Sequence, residues 1–204
     1  LAAELRLVLA SASPARLTTL RSAGITPEVI VSDVDEDAFV GADVTELVSQ
    51  LAQAKASAVF ERVGDGDVVV IGCDSLLDLD GEAMGKPADA VQARERWRRM
   101  RGRTGRLRTG HHVVARLGGE VASRTAVATT EVAFADLGDD ELEAYLATGE
   151  PLRVAGAFTI DGLGGAYVTG IGGDPHNVVG ISLPLLRRML VELGVGWHSL
   201  WRRP

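Results

Sequence analysis

The chain has 204 residues, 46% of them hydrophobic and 24% charged, with a formal net charge of −7. That apolar content supplies a real core and excludes a disordered segment, while the acidic balance argues against a broad nucleic-acid surface. No apolar run nears the ~18 residues of a membrane span, and Cys73, the one cysteine, cannot close an internal disulfide, which points to a reducing cytoplasm.

The length fits one sizeable domain or two tightly joined lobes. Leu1 to Ala12 is apolar without a basic stretch before it, and reads as structure rather than as a signal peptide. Leu5 to Ala10 reads as a buried strand. Ser13 is a good N-cap and Pro14 suits a first turn, so a helix follows with Leu17, Leu20 and Ala23 inward and Gly24 as its stop. Glu28 to Ser32 reads as a second strand, succeeded by the acidic run Asp33-Val34-Asp35-Glu36-Asp37. Asp43-Val44-Thr45-Glu46 is a capping box, predicting a helix to about Phe60 with Leu47, Leu51, Ala54 and Ala58 inward. Asp67 to Gly72 is β-branched and reads as a central strand that ends at Gly72-Cys73-Asp74-Ser75.

Asp80-Gly81 signals a hairpin between short strands. Arg94 to Arg108 holds eight arginines and one acid, Glu95, while Ala90, Ala93, Trp97 and Met100 recur at helical spacing. A helix buries that stripe; its arginines form either a solvated face or a contact for a partner or phosphate. His111 to Leu117 and Val121 to Ala135 read as long strands around Gly118-Gly119. Asp139 is expected to cap a helix to about Thr148, Gly156 to Gly173 reads as Gly-rich and β-like, and Ser182 starts an amphipathic helix carrying Leu185, Leu186, Met189, Leu190 and Leu193. Mixed βα units and long antiparallel strands predict an α/β fold with a mixed sheet.

Several positions could carry chemistry. The chain has only two lysines, Lys55 and Lys86, against nineteen arginines. A compact ammonium with rotating donors suits a phosphate, so two lysines near carboxylates point to a polyanion site with a metal, against the plain reading of two surface lysines. The turn Ser11 to Arg16 combines two hydroxyls, the free amides of a helix start and a guanidinium, which favours phosphate; ordinary capping accounts for Ser13 but not for Ser11 with Arg16. Asp74 reads as a carboxylate projecting from a strand end, either a ligand position or a structural cap. Cys73 is a candidate thiol nucleophile without a neighbouring histidine to act as base. Gly81 to Pro87 falls one residue short of a phosphate-binding loop and has Pro87 where Ser or Thr would hold magnesium. The glycines of 162 to 173 do not make G-x-G-x-x-G, and His111, His112, His176 and His198 lack metal-ligand spacing. His176 reads as a loop residue.

Taken together, the ordered segments resemble the Maf family of nucleoside triphosphate pyrophosphatases, also called septum-formation-inhibitor-like proteins. The resemblance rests on Leu9-Ala10-Ser11-Ala12-Ser13-Pro14-Ala15-Arg16, Val34-Asp35-Glu36, Ala54-Lys55-Ala56, Gly72-Cys73-Asp74-Ser75 and Gly85-Lys86-Pro87. It continues in Ala155-Gly156-Ala157-Phe158, Asp161-Gly162-Leu163-Gly164-Gly165 and Asn177-Val178-Val179-Gly180 before Leu183-Pro184. It implies a single Maf-like domain over 1–204, a mixed twisted sheet flanked by helices, and a two-lobed, inosine-triphosphatase-like architecture with a central cleft. It further implies a cytoplasmic homodimer that cleaves nucleoside triphosphates to monophosphate and pyrophosphate with a divalent metal, Mg²⁺ or Mn²⁺, and binds neither nucleic acid nor membrane.

Carried over, Asp74 is the proton acceptor and Lys55 and Lys86 join it in catalysis. Ser11, Ser13 and Arg16 hold the triphosphate with the lysines, and Glu36 binds metal with Asp74. Three positions depart from the family's common patterns and bear on substrate: Ala15 before the retained Arg16, Ser75 where pyrimidine-specific members have Thr, and Asp161 where members have Gln or Glu. An ionised Asp161 only accepts hydrogen bonds, which favours a base edge rich in donors, such as guanine N1–H and N2–H₂ or a modified base. The family's older name carries a rival expectation, a regulator of division that senses nucleotides without turnover. A hydrolase using Cys73 and a nucleic-acid module on the Arg-rich helix are the remaining alternatives.

Overall fold

The protein, seen as a computed structural model, is described over residues 5–201; Leu1 to Glu4, where the apolar start was read, and the last three residues lie outside. The elements form a mixed α/β arrangement whose seven strands follow the order β2-β1-β3-β5-β6-β7, with β4 paired to β3. The chain divides into two compact units, one of Leu1–Asp74, Thr109–Ala128 and Gly180–Pro204, the other of Ser75–Arg108 and Thr129–Val179.

In the first unit β1 (Arg6–Ala10) leads into α1 (Pro14–Ser22), then β2 (Glu28–Val29), α2 (Val44–Phe60) and the first part of β3 (Val68–Leu79), whose residues from Ser75 on belong to the second. β1 runs parallel to β2 and to β3, with Arg6 opposite Val68 and Ala10 opposite Gly72. The second strand is therefore two residues long instead of the five expected from Glu28 to Ser32. β3 is the opposite case: it does not end before Asp74 but continues to Leu79, so Asp74 is a mid-strand residue and not a cap.

Alternation along β3 decides what each side chain meets. Val69, Ile71 and Cys73 enter a core with Leu20 of α1 and residues of the C-terminal helix that follows Ser182. Val68 and Val70 point the other way, onto Ala56 and Val59 of α2. Asp74 shares the parity of Val68 and Val70, so the strand aims its carboxylate at the α2 side.

α2 does not turn the expected stripe inward. Val44, Val48, Leu51, Ala52, Lys55, Ala56 and Val59 are buried, whereas Leu47, Ala54 and Ala58 are only half-buried. The capping box that starts it has Asp43 accepting from Glu46 N at 2.8 Å, while Glu46 accepts from Ala42 N at 2.7 Å rather than from the cap itself. The helix lies against two glycines: a Cβ at Gly72 would stand 2.3 Å from Ala52 O, and one at Gly110 would stand 2.0 Å from Val48 O. These contacts fix which face of α2 meets the sheet, and with it the place of Lys55. Gly72→Ala is expected to cost about 3 kcal/mol of stability by overpacking, and to push Lys55 off Asp74. A fall in the urea midpoint together with loss of activity would show both effects.

In the second unit Asp80 and Gly81, with φ of 55° and 88°, turn β3 into the antiparallel β4 (Glu82–Met84). α3 (Ala90–Met100) buries Ala93, Trp97 and Met100 as its spacing predicts. The Trp97 ring meets Phe134, Tyr145 and Tyr167 edge-on, and its Nε1 donates to Ala157 O at 2.7 Å. The arginines of α3 and its C-cap are mostly matched: Arg94 pairs with Glu143, Arg98 and the cap residue Arg101 with Asp139, and Arg99 with Glu82. That pairing of charges favours the solvated-face reading over a basic patch.

The long strands are β5 (Thr104–Leu117) and β6 (Glu120–Phe134), the first starting seven residues earlier than His111. α4 (Asp139–Ala147) is preceded by Gly138 without a side-chain cap; Asp139 is its first residue and accepts from Arg101 instead. The Gly-rich segment is not a strand throughout. It forms short 3₁₀ turns at Ala155–Ala157 and Leu163–Tyr167, and only β7 (Val168–Gly172) pairs, antiparallel to β6. His176 lies in a short helix, α5 (Pro175–Val179), not a loop, and bonds Asp174. Back in the first unit, α6 (Leu183–Glu192) begins at Ser182, whose side chain accepts from Leu185 N.

Candidate active site

The first unit holds seven of the expected site residues: Ser11, Ser13, Ala15, Arg16, Glu36, Lys55 and Asp74. Lys55, on the buried stripe of α2, is 7% exposed and Asp74 6%. The Lys55 Nζ lies 2.5 Å from Asp74 Oδ1 and 2.7 Å from Glu36 Oε1, so one ammonium joins two carboxylates. Glu36 sits on a 3₁₀ turn, Glu36–Ala38, and its side chain is 56% exposed. Asp74 is thus the inner carboxylate and Glu36 the outer one.

Burial pushes the Asp74 carboxyl above its ordinary value, with Glu36 adding to the rise and the Lys55 ammonium and Arg16 guanidinium pulling against it. A carboxylate so placed holds a proton more readily than a free Asp does. Cys73, its neighbour in sequence, is wholly buried on the opposite face of β3, and burial raises its thiol to about 11. A thiol of that acidity inside an apolar core is a poor nucleophile.

The turn from Ser11 to Arg16 has a tight internal order. Ser11 Oγ accepts from Ser13 N at 3.2 Å and from Arg16 Nη1 at 3.0 Å, and Ser13 Oγ accepts from Arg16 N at 3.4 Å. Arg16 is buried, and its Nε donates to Gly180 O at 2.7 Å. The register of β1 and β3 places Ala10 opposite Gly72, so this turn and Asp74 lie just past the same end of the parallel pair. Ala15, beside Arg16 in the turn, accepts at its carbonyl oxygen from Thr19 Oγ1 at 3.0 Å.

Sequence reasoning missed the support behind Arg16. His111 is buried, its Nδ1 faces Thr109 O at 3.0 Å and its Nε2 accepts from Ser182 N at 2.9 Å. These contacts require the neutral ring with its proton on Nδ1. His111 thereby fixes Gly180-Ile181-Ser182, the segment that receives Arg16. No motif marks it, because its partners are backbone atoms, and the one that supports Arg16 is 71 residues along the chain.

The other expected residues, Ser75, Lys86 and Asp161, belong to the second unit. Ser75 is half-buried on β3, while Lys86 and Asp161 are exposed. No group of three or more His, Cys, Asp or Glu residues forms a ready metal cage among the described residues. Glu36 and Asp74 offer hard oxygen donors only. That fits a cation such as Mg²⁺, which takes one or two carboxylates and completes its shell from phosphate and water.

A family model described as Maf-like protein matches residues 6–193. A protein from Cutibacterium acnes named nucleoside triphosphate pyrophosphatase is 53% identical over 202 residues, covering 97% of this chain and 95% of that one. A relative of the same name from Streptomyces coelicolor is 56% identical over 196 residues, covering 96% and 94%. Among solved structures, the Ham1 protein of Staphylococcus aureus aligns over 96% of this chain and 93% of its own at 14% identity, with a TM-score of 0.40, a likeness too loose to argue from. Matched from β1 to the end of α6 and more than half identical to relatives of its own length, the chain belongs to the Maf family.

Proposed function

We propose that the chain is a nucleoside triphosphate pyrophosphatase, releasing nucleoside monophosphate and pyrophosphate with the help of a divalent metal, Mg²⁺ or Mn²⁺. The observation that carries this reading is the buried Lys55 held between Asp74 and Glu36 at 2.5 and 2.7 Å. A triphosphate brings about four negative charges, and phosphoryl transfer depends on positioning and neutralising them. Lys55 and Arg16 are cations fixed in place before substrate arrives, with Ser11 and Ser13 as hydroxyl donors alongside.

In the proposed step a water oxygen bonds to the α-phosphorus as the bond to the α–β bridging oxygen breaks. Pyrophosphate leaves with that oxygen, and the water proton passes to the Asp74 oxygen that does not face Lys55. Glu36 and Asp74 would hold the metal, which supplies neutralisation of phosphate charge and a lowered pKa for water. Lys86 enters as a further phosphate ligand through the family resemblance, as do Ala15, Ser75 and Asp161 as positions that set the choice of nucleotide. Asp161, as an acceptor, favours guanine-type or modified bases. A cytoplasmic homodimer completes the proposal on the same resemblance.

The test is product analysis with Mg²⁺ across normal and methylated nucleoside triphosphates. Monophosphate with pyrophosphate in equal amounts is the expected result. Release of inorganic phosphate instead would overturn cleavage at the α–β bond, and nucleotide binding without any product would favour the regulator.

A further inference from the structure

Asp161 is exposed on a turn whose shape is set from inside by a different carboxylate. Glu150 begins the 3₁₀ turn Glu150–Arg153, anchored by the buried Pro151. Its Oε1 accepts from Thr159 Oγ1 at 2.5 Å, Gly164 N at 3.0 Å and Tyr145 OH at 3.1 Å, and its Oε2 accepts from Leu163 N at 3.1 Å. Four donors from three segments therefore converge on one side chain, and three of them come from the stretch Thr159 to Gly164 that contains Asp161. The chain closes on this carboxylate at contact distance. A Cβ on Gly162 would stand 2.7 Å from Glu150 Oε2, and one on Gly164 would stand 2.3 Å from the Tyr145 hydroxyl oxygen.

Taking the proposed pyrophosphatase activity and the base-reading role of Asp161 as given, we infer that Glu150 is a positioning residue for nucleotide selection, its carboxylate fixing the Thr159–Gly164 turn and so the place of Asp161. An ionised carboxylate suits this role because it is acceptor-only and takes about four hydrogen bonds. Partial burial opposes its charge, but the Thr159, Gly164, Leu163 and Tyr145 donors outweigh that and hold it below the usual range. It is therefore ionised at neutral pH. Glutamine in its place would present two hydrogens to a pocket already lined with donors.

The experiment measures kcat and KM for guanosine, adenosine, uridine and methylguanosine triphosphates in wild type, Glu150→Gln, Thr159→Val, Asp161→Ala and the Glu150→Gln/Asp161→Ala double variant. Glu150→Gln is expected to compress the ratio of kcat/KM between best and worst nucleotide about tenfold, the scale of a lost hydrogen bond to a charged group. The change should fall mainly on KM for the preferred nucleotide. Thr159→Val should move the ratio the same way but less, and decides the matter if Glu150→Gln does not fold. Asp161→Ala should compress the ratio as well, and the double variant should add little.

An equal loss on every nucleotide in Glu150→Gln, or an unchanged ratio, overturns the inference. If Asp161→Ala loses discrimination and Glu150→Gln keeps it, Asp161 reads the base without help from Glu150. If Glu150→Gln loses discrimination and Asp161→Ala keeps it, Glu150 governs the turn but another residue on it reads the base. No turnover by the wild type on any nucleotide would sink the pyrophosphatase reading itself.

Discussion

Asp74→Asn is expected to lower pyrophosphate release about 10²–10⁴-fold, the range that a positioned general base contributes. The substitution keeps the size and planarity of the side chain but removes its capacity to take a proton. KM should change little, because Lys55, Arg16 and the serine hydroxyls remain to hold the triphosphate. Removing a negative charge beside that polyanion favours nucleotide binding, while the weaker metal donor that Asn offers is met by running the assay at saturating Mg²⁺. The fold should tolerate the change: Lys55 keeps Glu36 at 2.7 Å, and burial already disfavours the charge that is lost. The checks are steady-state kinetics and nucleotide binding by calorimetry on the same preparation. Retained turnover with Asn at position 74 would remove Asp74 as the proton acceptor and leave only its place beside Lys55.

Much of this arrangement was legible before the fold. Ser13 as N-cap, Asp80-Gly81 as a hairpin and the Ser182 helix are local features, set by residues within a few positions of one another. The scarcity of lysine also carried information, since Lys55 proved to be buried between two acids. What failed was any reading that depended on distant partners. The stripe of α2 was misplaced because a hydrophobic period has no room for a lysine, and Lys55 lies inward only through Asp74 on β3 and Glu36 on its turn. Arg16 was expected as an anion ligand in the turn after β1, and the carbonyl that holds it lies 164 residues away, beyond any local reading. His111 and Glu150 were invisible for the same reason, since both act on backbone groups. The Gly-rich stretch before Gly173 misled in another way. Gly162 and Gly164 serve close packing around Glu150 rather than strand pairing, so composition alone read as β a segment that is strand only over Val168–Gly172.

Lys55→Met should reveal how far the buried ammonium sustains both stability and activity. Methionine matches the length of the lysine stem, so the packing of α2 against β3 is kept and only the charge is lost. At neutral pH the variant leaves a buried carboxylate without its cation, a loss of the kind that costs about 3–5 kcal/mol when one partner of a buried pair is removed. The cost should depend on pH, with a definite sign. The Asp74 carboxyl already lies above its ordinary 3.8 because of burial, and Lys55 is the strongest influence holding it down. Without Lys55 it rises further. A folded state that binds more protons than the unfolded one loses stability as pH rises through that window. Below the raised value that Asp74 has in the wild type it is neutral in both proteins and the difference between them should nearly vanish; the gap should open as pH passes that value and widen until Asp74 ionises in the variant. Urea unfolding between pH 4 and pH 8 measures this directly, and a gap independent of pH would mean that Lys55 contributes packing alone. Activity should fall at least about 100-fold at neutral pH, since one substitution removes a preorganised cation and leaves more of the base protonated. If turnover were to survive in a variant whose stability shows the predicted pH dependence, the buried pair would be a structural device, and the catalytic cations would have to be sought at Arg16 and Lys86.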